Sequence, residues 1–190
     1  LRKKNTVRYQ KEKRKKWEGG KKAKVRKKGI QNHSPDSWKT YLSVMDFSKR
    51  STVEEHMDNP ILDKESYKKA YKDINRCNTL LGGSDITIKA IRKLIDENPQ
   101  KSYTIMDMGC GDGHMLRLIA KRFRGRDIKL HLVGIDLRDD VITVAREASQ
   151  DFPEILFQEA DILDLTQVQD CDILLCTLTM HHFEEADIKT

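Results

Sequence analysis

Short apolar runs and longer helical segments alternate along the second half of the chain. Four runs have the length and composition of buried strands, namely residues 103–108, 130–135, 155–157 and 171–177. The segments 115–120 and 140–149 lie between the first three runs and are predicted to be helices. Strands that alternate with helices pair in parallel in one sheet. The pattern therefore predicts an α/β fold with a parallel sheet.

Two further helices are predicted upstream of this alternation. The first has a stripe at three- and four-residue spacing formed by Tyr67, Ala70, Tyr71, Ile74, Asn78 and Leu81. Gly82 and Gly83 are expected to end it. Ser84 is expected to cap the second helix, which ends before Pro99. The stripe of that second helix contains Ile88, Ile91, Leu94 and Ile95.

The junction after the first strand is the most informative segment. A carboxylate is followed by glycines at every second position in Asp107-Met108-Gly109-Cys110-Gly111-Asp112-Gly113. Glycine lets the backbone turn sharply and approach a ligand closely, and the next helix offers its free N–H groups there. A carboxylate at this place disfavours a pyrophosphate and favours a cation. S-adenosylmethionine, with an ammonium and a sulfonium, fits that electrostatic requirement.

The pattern Asp-x-Gly-x-Gly-x-Gly resembles motif I of the class I S-adenosylmethionine-dependent methyltransferases. Dinucleotide folds use G-x-G-x-x-G instead, and Asp112 stands where a pyrophosphate would lie. The resemblance covers residues 45–190. It implies a Rossmann-like three-layer α/β sandwich, S-adenosyl-L-methionine as the cofactor, and upstream helices that cover the cofactor cleft. Tyr67 and Tyr71 are then candidates for an acceptor pocket, although helical spacing favours a plain core role.

The ends of the later strands complete the predicted cofactor site. Asp136 closes the second strand and is expected to face the ribose hydroxyls, with a helix N-cap as the alternative. Leu137 would lie against the adenine face. The resemblance assigns Asp161 and Ile162 to the adenine amino group and ring, while a loop acid that starts a turn is the alternative for Asp161, and Asp164 could replace it. The predicted cofactor residues are Asp107, Gly109, Cys110, Gly111, Gly113, Asp136, Leu137, Asp161, Ile162 and Thr177.

Two histidines are candidates for the chemistry. His181 and His182 follow the fourth strand, on the carboxyl edge where ligands bind in open α/β sheets. An oxygen acceptor must lose its proton, and a histidine with a pKa near 6.5 suits that task. Either residue is therefore a candidate general base. The alternative is that the histidine packs against the cofactor or closes the loop.

The resemblance is to bacterial small-molecule enzymes, so a small molecule, phenolic or polyketide-type, is the expected acceptor. Two other classes stay open. An NAD(P)-dependent oxidoreductase would share the first strands and Asp136, and a non-catalytic S-adenosylmethionine-binding fragment would share the whole site. The non-catalytic alternative is suggested by the number of strands, because a class I sheet has seven strands and this sequence supplies four. The C-terminal strands are therefore expected to be missing.

Charge divides the chain near residue 44. Residues 1–44 hold 16 Lys and Arg against three acidic residues, a net charge of +13, and the remainder carries −7. The first 30 residues have almost no apolar periodicity, which predicts disorder. A basic tail can bind nucleic acid, but a solvated extension is favoured and no nucleic-acid partner is expected. The predicted organisation is a basic extension (1–44), a helical cap (45–100) and a partial methyltransferase domain (101–190).

Cysteine spacing and hydropathy limit the remaining possibilities. The four cysteines form no C-x-x-C pair, so neither a metal site nor a disulfide is predicted. Cys171 and Cys176 are an odd number of residues apart and should face opposite sides of the sheet. The sequence has no secretory signal and no apolar run near 18 residues. It therefore predicts a soluble cytoplasmic protein with reduced thiols and no membrane partner.

Overall fold

The computed structural model describes residues 63–163 and 170–183. All of these described residues belong to one unit of the chain, Asp63–Thr190. The predicted basic extension 1–44 and the first part of the helical cap lie outside the described residues. The same holds for Asp164.

Four parallel strands form the sheet. They are β1 (Ser102–Met108), β2 (Lys129–Asp136), β3 (Ile155–Glu159) and β4 (Ile173–Leu175), in the spatial order β3-β2-β1-β4. Met108 of β1 pairs with Ile135 of β2, and Asp136 pairs with Glu159 of β3. The carboxyl ends of these strands therefore meet at one edge of the sheet, as in other open α/β sheets.

Helices alternate with the strands as the sequence predicts. The helices are α1 (Lys64–Leu80), α2 (Gly83–Glu97), α3 (His114–Phe123) and α4 (Asp139–Ala148), followed by a 3-10 helix at Met180–His182. Asp63 caps α1, because its Oδ1 accepts from the Ser66 N–H at 2.9 Å. The predicted α/β Rossmann-like fold is confirmed. None of these helices, within the described residues, is long and apolar enough to span a membrane.

The main core lies on one face of the sheet. Helices α2, α3 and α4 all contribute to it, and its members include Ile91, Ile95, Leu116, Ile119, Ile142 and, from the strands, Ile105 and Leu132. A smaller cluster on the opposite face contains Met106, Val133 and Ile135. On that face Leu156 and Leu174 are 67% and 52% exposed. The described residues thus supply the sheet and one helical layer of the three-layer sandwich.

Helix α1 ends at Leu80, just before Gly82 and Gly83 as expected, but the prediction that Ser84 caps α2 is wrong. Gly82, at φ 80°, is the N-cap of α2, Gly83 is its first residue, and Ser84 lies buried inside the helix. The left-handed conformation of Gly82 lets the chain turn from α1 into α2, and α2 begins without a side-chain cap. The turn leaves Leu81 85% exposed rather than on the predicted stripe. Leu94 of the second stripe is 44% exposed.

The fourth strand is shorter than the apolar run that predicts it. It covers only Ile173–Leu175, and Cys171, Cys176 and Thr177 lie outside it. The two cysteines therefore are not on one strand, and the argument from alternating strand faces does not apply to them. Thr177 lies two residues past the strand, in the loop toward the 3-10 helix.

Candidate functional site

The turn between β1 and α3 is built on left-handed glycines. Gly109, Gly111 and Gly113 have φ values of 71°, 54° and 74°. The N–H groups of Gly109 and Cys110 both donate to the Ile135 carbonyl, at 2.8 and 2.9 Å. These bonds fix the turn against the end of β2. A conformation that L side chains rarely adopt recurs three times in five residues, which explains the glycine pattern.

Side chains from distant parts of the chain close over this turn. A Cβ atom on Gly111 would lie 2.6 Å from Cε1 of Tyr71, and one on Gly109 would lie 2.4 Å from the Thr179 side chain. Thr179 Oγ1 donates to the carbonyl oxygens of Gly109 and Thr177, at 3.3 and 3.1 Å. The loop after β4, which contains the predicted cofactor residue Thr177, is thereby attached to the glycine turn.

Asp136 joins the glycine turn to the start of α4. Its Oδ2 accepts from the Gly111 N–H and its Oδ1 from the Arg138 N–H, both at 3.1 Å. The N-cap residue of α4 is Arg138, so Asp136 does not serve as the cap. Burial raises the pKa of Asp136, and the two backbone hydrogen bonds oppose that shift. Each oxygen retains a lone pair for a further donor.

Asp107 is the most strongly desolvated acid of the site. Its side chain is 3% exposed, and its Oδ1 has no hydrogen-bond partner in the described part of the chain. Burial raises its pKa to about 7, with a smaller contribution from the negative charge of Asp136. A buried carboxyl without a partner and beside another acid is unfavourable when ionised. A cation placed between these acids would remove that penalty.

Asp112 is held by donors from two helices, α1 and α3. Asn75 Nδ2 of α1 lies 3.1 Å from both carboxylate oxygens, and the His114 N–H donates to Oδ1 at 3.1 Å. Arg117 of α3 forms an ion pair with Oδ2 at 3.1 Å and also donates to the Asp112 carbonyl. The carboxylate therefore occupies the place at the helix start that an anionic group would need.

Helix α1 covers the glycine turn with two tyrosines. Tyr71 packs on Gly111, and its pKa is raised by burial first and then by the charges of Asp136 and Asp112. Tyr67 is 2% exposed, stacks on Tyr71 with ring centroids 6.5 Å apart, and has the Arg138 guanidinium 4.5 Å from its ring centroid. The sequence leaves open whether these tyrosines belong to the core or to a ligand pocket. In the structure, Tyr67 belongs to the core and Tyr71 lines the candidate site.

The other predicted cofactor residues lie along the same edge. Leu137 is half-buried between Asp136 and Arg138. Asp161 is exposed and its Oδ1 accepts from the Leu163 N–H at 3.0 Å, which is the turn-forming contact of a loop acid. Ile162 is half-buried against the smaller apolar cluster behind the sheet.

The candidate catalytic histidines share the 3-10 helix. His181 and His182 are both exposed, and their ring centroids are 4.1 Å apart. They lie two and three residues after Thr179, which is bound to the glycine turn. The structure therefore brings the pair to the same edge as Asp107 and Asp136. Among residues 63–163 and 170–183, no group of three or more His, Cys, Asp or Glu is placed to hold a metal ion.

Three site residues have no counterpart in the sequence interpretation. Asn75 binds Asp112, Arg117 holds the same acid, and Thr179 joins two loops. Asn75 stands four residues after Tyr71, so the helical repeat could have placed it on the same face. Arg117 and Thr179 reach their partners only because of the conformation of the glycine turn. The spacing of residues along the sequence does not predict such contacts.

A comparison with family models matches residues 105–190 to the family described as "Methyltransferase domain". A comparison with curated protein sequences gave no match. The family match begins inside β1 and includes the glycine turn, Asp136, Asp161 and the two histidines.

Solved structures give similar but distant matches. The YcgJ protein from Bacillus subtilis is 20% identical, with 54% of this chain and 40% of that chain covered and a TM-score of 0.42. A candidate S-adenosyl-L-methionine-dependent methyltransferase from Methanococcus maripaludis is 16% identical, with coverages of 73% and 59% and a TM-score of 0.49. The plantazolicin methyltransferase BamL, in complex with a triazolic desmethylPZN analog and SAH, is 21% identical, with coverages of 58% and 39% and a TM-score of 0.45. The chain spans about 40% of the length of YcgJ.

Proposed function

Residues 105–190 of this chain belong to the class I S-adenosylmethionine-dependent methyltransferase family. From this premise we propose that the protein binds S-adenosyl-L-methionine at the carboxyl edge of its sheet. The bound methyl group is transferred to a small-molecule acceptor. Both the binding and the transfer are proposals for the whole protein.

The observation that carries the proposal is the buried Asp107 carboxyl. It lacks a partner for Oδ1 among the described residues and lies beside Asp136. Burying an acid in this way is costly unless a ligand compensates for it. A ligand with positive charge and hydroxyl groups suits the pair, since Asp107 would be relieved by the cation and Asp136 can accept from hydroxyls. S-adenosylmethionine has both features.

Each predicted residue has a role in holding this cofactor. The turn at Gly109, Cys110, Gly111 and Gly113 lets the ligand approach the backbone, and Asp136 and Leu137 serve the ribose and the adenine face. Asp161 and Ile162 are proposed for the adenine, and Thr177 for the loop that closes on the turn. We add Tyr71 to this set, because its ring covers Gly111 and faces Asp136 and Asp112.

The bound cofactor supplies an electrophilic methyl group on its sulfonium. The chain aligns the acceptor and excludes water, and positioning of this kind can supply roughly 7–11 kcal/mol of barrier lowering. His181 or His182 is proposed to take the proton of an oxygen acceptor. The phenolic or polyketide-type acceptor rests on the sequence resemblance alone, and the cytoplasmic location stays a prediction.

An oxidoreductase that binds a dinucleotide is the alternative with a different cofactor. Asp112 argues against it. Its carboxylate is bound by Asn75, Arg117 and the His114 N–H at the helix start, where a pyrophosphate would need those donors. A non-catalytic binding protein differs from the proposed enzyme only in turnover.

Calorimetric titration separates these functions. We expect S-adenosylhomocysteine to bind at one site per chain, and NADH and NADPH to give no saturable heat. Asp136→Ala should weaken S-adenosylhomocysteine by about tenfold or more, because a carboxylate hydrogen bond to a ligand hydroxyl contributes about 1.5–3 kcal/mol. Asp139→Ala, an exposed acid at the start of α4, is the matched control and should bind normally.

Transfer of a labelled methyl group from the cofactor to small phenols then tests catalysis. His181→Ala and His182→Ala are compared as single variants, with binding measured in parallel. Saturable NADH binding without S-adenosylhomocysteine binding would overturn the proposal. Normal cofactor binding without any transfer would leave the non-catalytic alternative as the function.

A further inference from the structure

A groove runs along the side of α1, next to the glycine turn. It encloses about 410 Å³ and is lined by Lys68, Lys72, Asn75, Arg76, Thr79, Leu80, Asp112 and His114. Its α1 residues recur at three- and four-residue spacing, so they form one stripe of that helix. The stripe is offset from Tyr71, which packs on Gly111 of the glycine turn. The groove therefore shares Asn75 and Asp112 with the candidate cofactor site and extends from it along α1.

The charges of this groove are unbalanced. Lys68 is paired with Glu65 at 3.4 Å and with Glu147 at 3.8 Å. Lys72 and Arg76 contact no acid within the described residues. They lie four residues apart, about 6 Å along the helix axis, and like charges at this spacing repel each other.

The acid of the groove does not compensate for them. Asp112 already accepts two hydrogen bonds from Asn75 and forms an ion pair with Arg117. His114 also lines the groove, and burial is the first cause that lowers the pKa of its imidazole. Lys72 and Arg76 thus line the groove without an acidic partner in the described part of the chain, and a ligand with two negative charges would neutralise both.

The outer end of the groove is apolar. Leu80 is 75% exposed there, and Thr79 lies beside it in the lining. An exposed leucine next to a cationic pair suits a ligand that joins a hydrocarbon group to its charged group. A bare inorganic anion would leave this end uncovered.

We propose that the groove binds a small organic phosphate monoester. The phosphate lies between Lys72 and Arg76, and the organic group covers Leu80. A phosphate monoester carries close to two negative charges at pH 7 and accepts bidentate hydrogen bonds from arginine. A monocarboxylate supplies one charge and neutralises one cation only. This inference does not rest on methyl transfer, although Asn75 connects the groove to Asp112 of the glycine turn.

The test is calorimetric titration of the full chain with phenyl phosphate, inorganic phosphate and benzoate. We expect phenyl phosphate to saturate one site, inorganic phosphate to bind more weakly, and benzoate to bind about tenfold more weakly because it pairs with one cation. Leu80→Ser should weaken phenyl phosphate and leave inorganic phosphate unchanged. Equal affinity for benzoate and phenyl phosphate would overturn the phosphate assignment.

A charge-reversed pair supplies the matched control. Lys72→Glu with Arg76→Glu is expected to weaken phenyl phosphate by at least tenfold, because it replaces two attractions by two repulsions. Lys89→Glu with Arg92→Glu makes the same change in net charge on exposed residues of α2. This second pair should bind phenyl phosphate almost normally, and background binding to the basic segment 1–44 is common to both variants.

Equal losses in the two double variants would show that net charge, and not the groove, attracts the anion. Loss in neither variant, or no saturable binding in the parent chain, would also refute the proposal. S-adenosylhomocysteine affinity is measured in the same proteins. It should be unchanged by Lys72→Glu with Arg76→Glu, so a failure of cofactor binding is distinguishable from a failure of the groove.

Discussion

Helices α1 and α2 follow each other in the chain, yet they are attached to the domain in different ways. Helix α2 buries a stripe of three isoleucines, Ile88, Ile91 and Ile95, that are at most 4% exposed. In α1 the buried residue is Tyr67. Its other attachments are the contacts of Tyr71 and Asn75 with the glycine turn and the exposed pairing of lysines with α4.

The difference in attachment implies a difference in role. Fully burying an isoleucine contributes roughly 1.5–3 kcal/mol, so the α2 stripe stabilises the fold whether or not a ligand is present. A neutral hydrogen bond contributes about 0.5–1.5 kcal/mol net, so α1 is held more weakly. Because its partners are Gly111 and Asp112, its attachment depends on the conformation of the proposed ligand site. Helix α2 belongs to the core and α1 to the site.

The largest expected effect is on α2. Ile91→Ala removes a side chain that is 1% exposed, and such a deletion costs about 2–5 kcal/mol of stability. Urea unfolding followed by circular dichroism measures the loss. Affinity for S-adenosylhomocysteine under folding conditions should stay within twofold of the parent chain. A loss below 1 kcal/mol would mean that α2 is not anchored in this way.

The next effect is the pH dependence that Asp107 produces. Its pKa is raised from 3.8 to about 7 in the folded chain, so the folded state holds a proton that the unfolded state has released. This contribution to stability is complete below pH 3.8, declines as the pH rises, and is lost above about pH 7. Asp107→Asn has no such titration.

The stability of Asp107→Asn relative to the parent chain should therefore increase by roughly 3 kcal/mol between pH 5 and pH 8, at 1.36 kcal/mol per pKa unit. Urea unfolding at the two pH values measures the change. Asp139→Asn, an exposed acid of α4, is the control. A difference that is the same at both pH values would show that Asp107 titrates normally.

A smaller effect is expected where α1 touches the turn. A methyl group at Gly111, whose φ is 54°, would lie 2.6 Å from the Tyr71 ring. Gly111→Ala should displace Tyr71 and weaken S-adenosylhomocysteine about tenfold, which is about 1.4 kcal/mol. Gly125 also has a positive φ, 90°, but a Cβ there meets nothing within 4 Å.

Gly125→Ala is therefore the control for backbone strain. Both substitutions should lower stability by about 1–2 kcal/mol, the usual cost of a left-handed L residue. Only Gly111→Ala should change the calorimetric affinity. If the two variants bind S-adenosylhomocysteine with equal affinity, Tyr71 does not contribute to the ligand site.

The smallest effect is expected at the outer attachment of α1. Lys64 pairs with Glu147 of α4 at 2.5 Å, but the two side chains are 41% and 45% exposed. Lys64→Gln should lower stability by less than about 1 kcal/mol, because exposed pairs contribute little and salt screens them. A loss above 2 kcal/mol in thermal unfolding would make this pair a principal anchor of α1, against the comparison drawn above.

The sequence predicts much of the fold because apolar runs indicate strands directly. The ends of the first two strands agree within one residue, and Asp136 closes β2 as expected. Strand β4 is shorter than the apolar run 171–177. An apolar run shows where a strand can form, but it does not determine which of its residues pair with the neighbouring strand. Ser84 is not the cap of α2, because Gly82, which follows the end of α1, is also the N-cap of α2. A glycine between two helical patterns can end one helix or start the next.

The site is predictable only in part for a related reason. Spacing indicates that Asp107 and Asp136 end neighbouring strands, and the structure brings both to one edge. Spacing does not indicate that Oδ1 of Asp107 is buried without a hydrogen-bond partner among the described residues, because burial depends on packing from several elements. Helical spacing places Tyr67 and Tyr71 on one face, but it cannot tell that the second ring meets Gly111.

Hydrogen exchange with and without S-adenosylhomocysteine tests the central claim most directly. If the carboxyl edge holds this ligand, amides of residues 109–113 and 136–138 should become protected, together with those of α1 near Tyr71. Exchange in α2, between Ile88 and Ile95, should not change. Saturable binding that leaves the glycine turn unprotected, or that protects α2 instead, would contradict the proposed site.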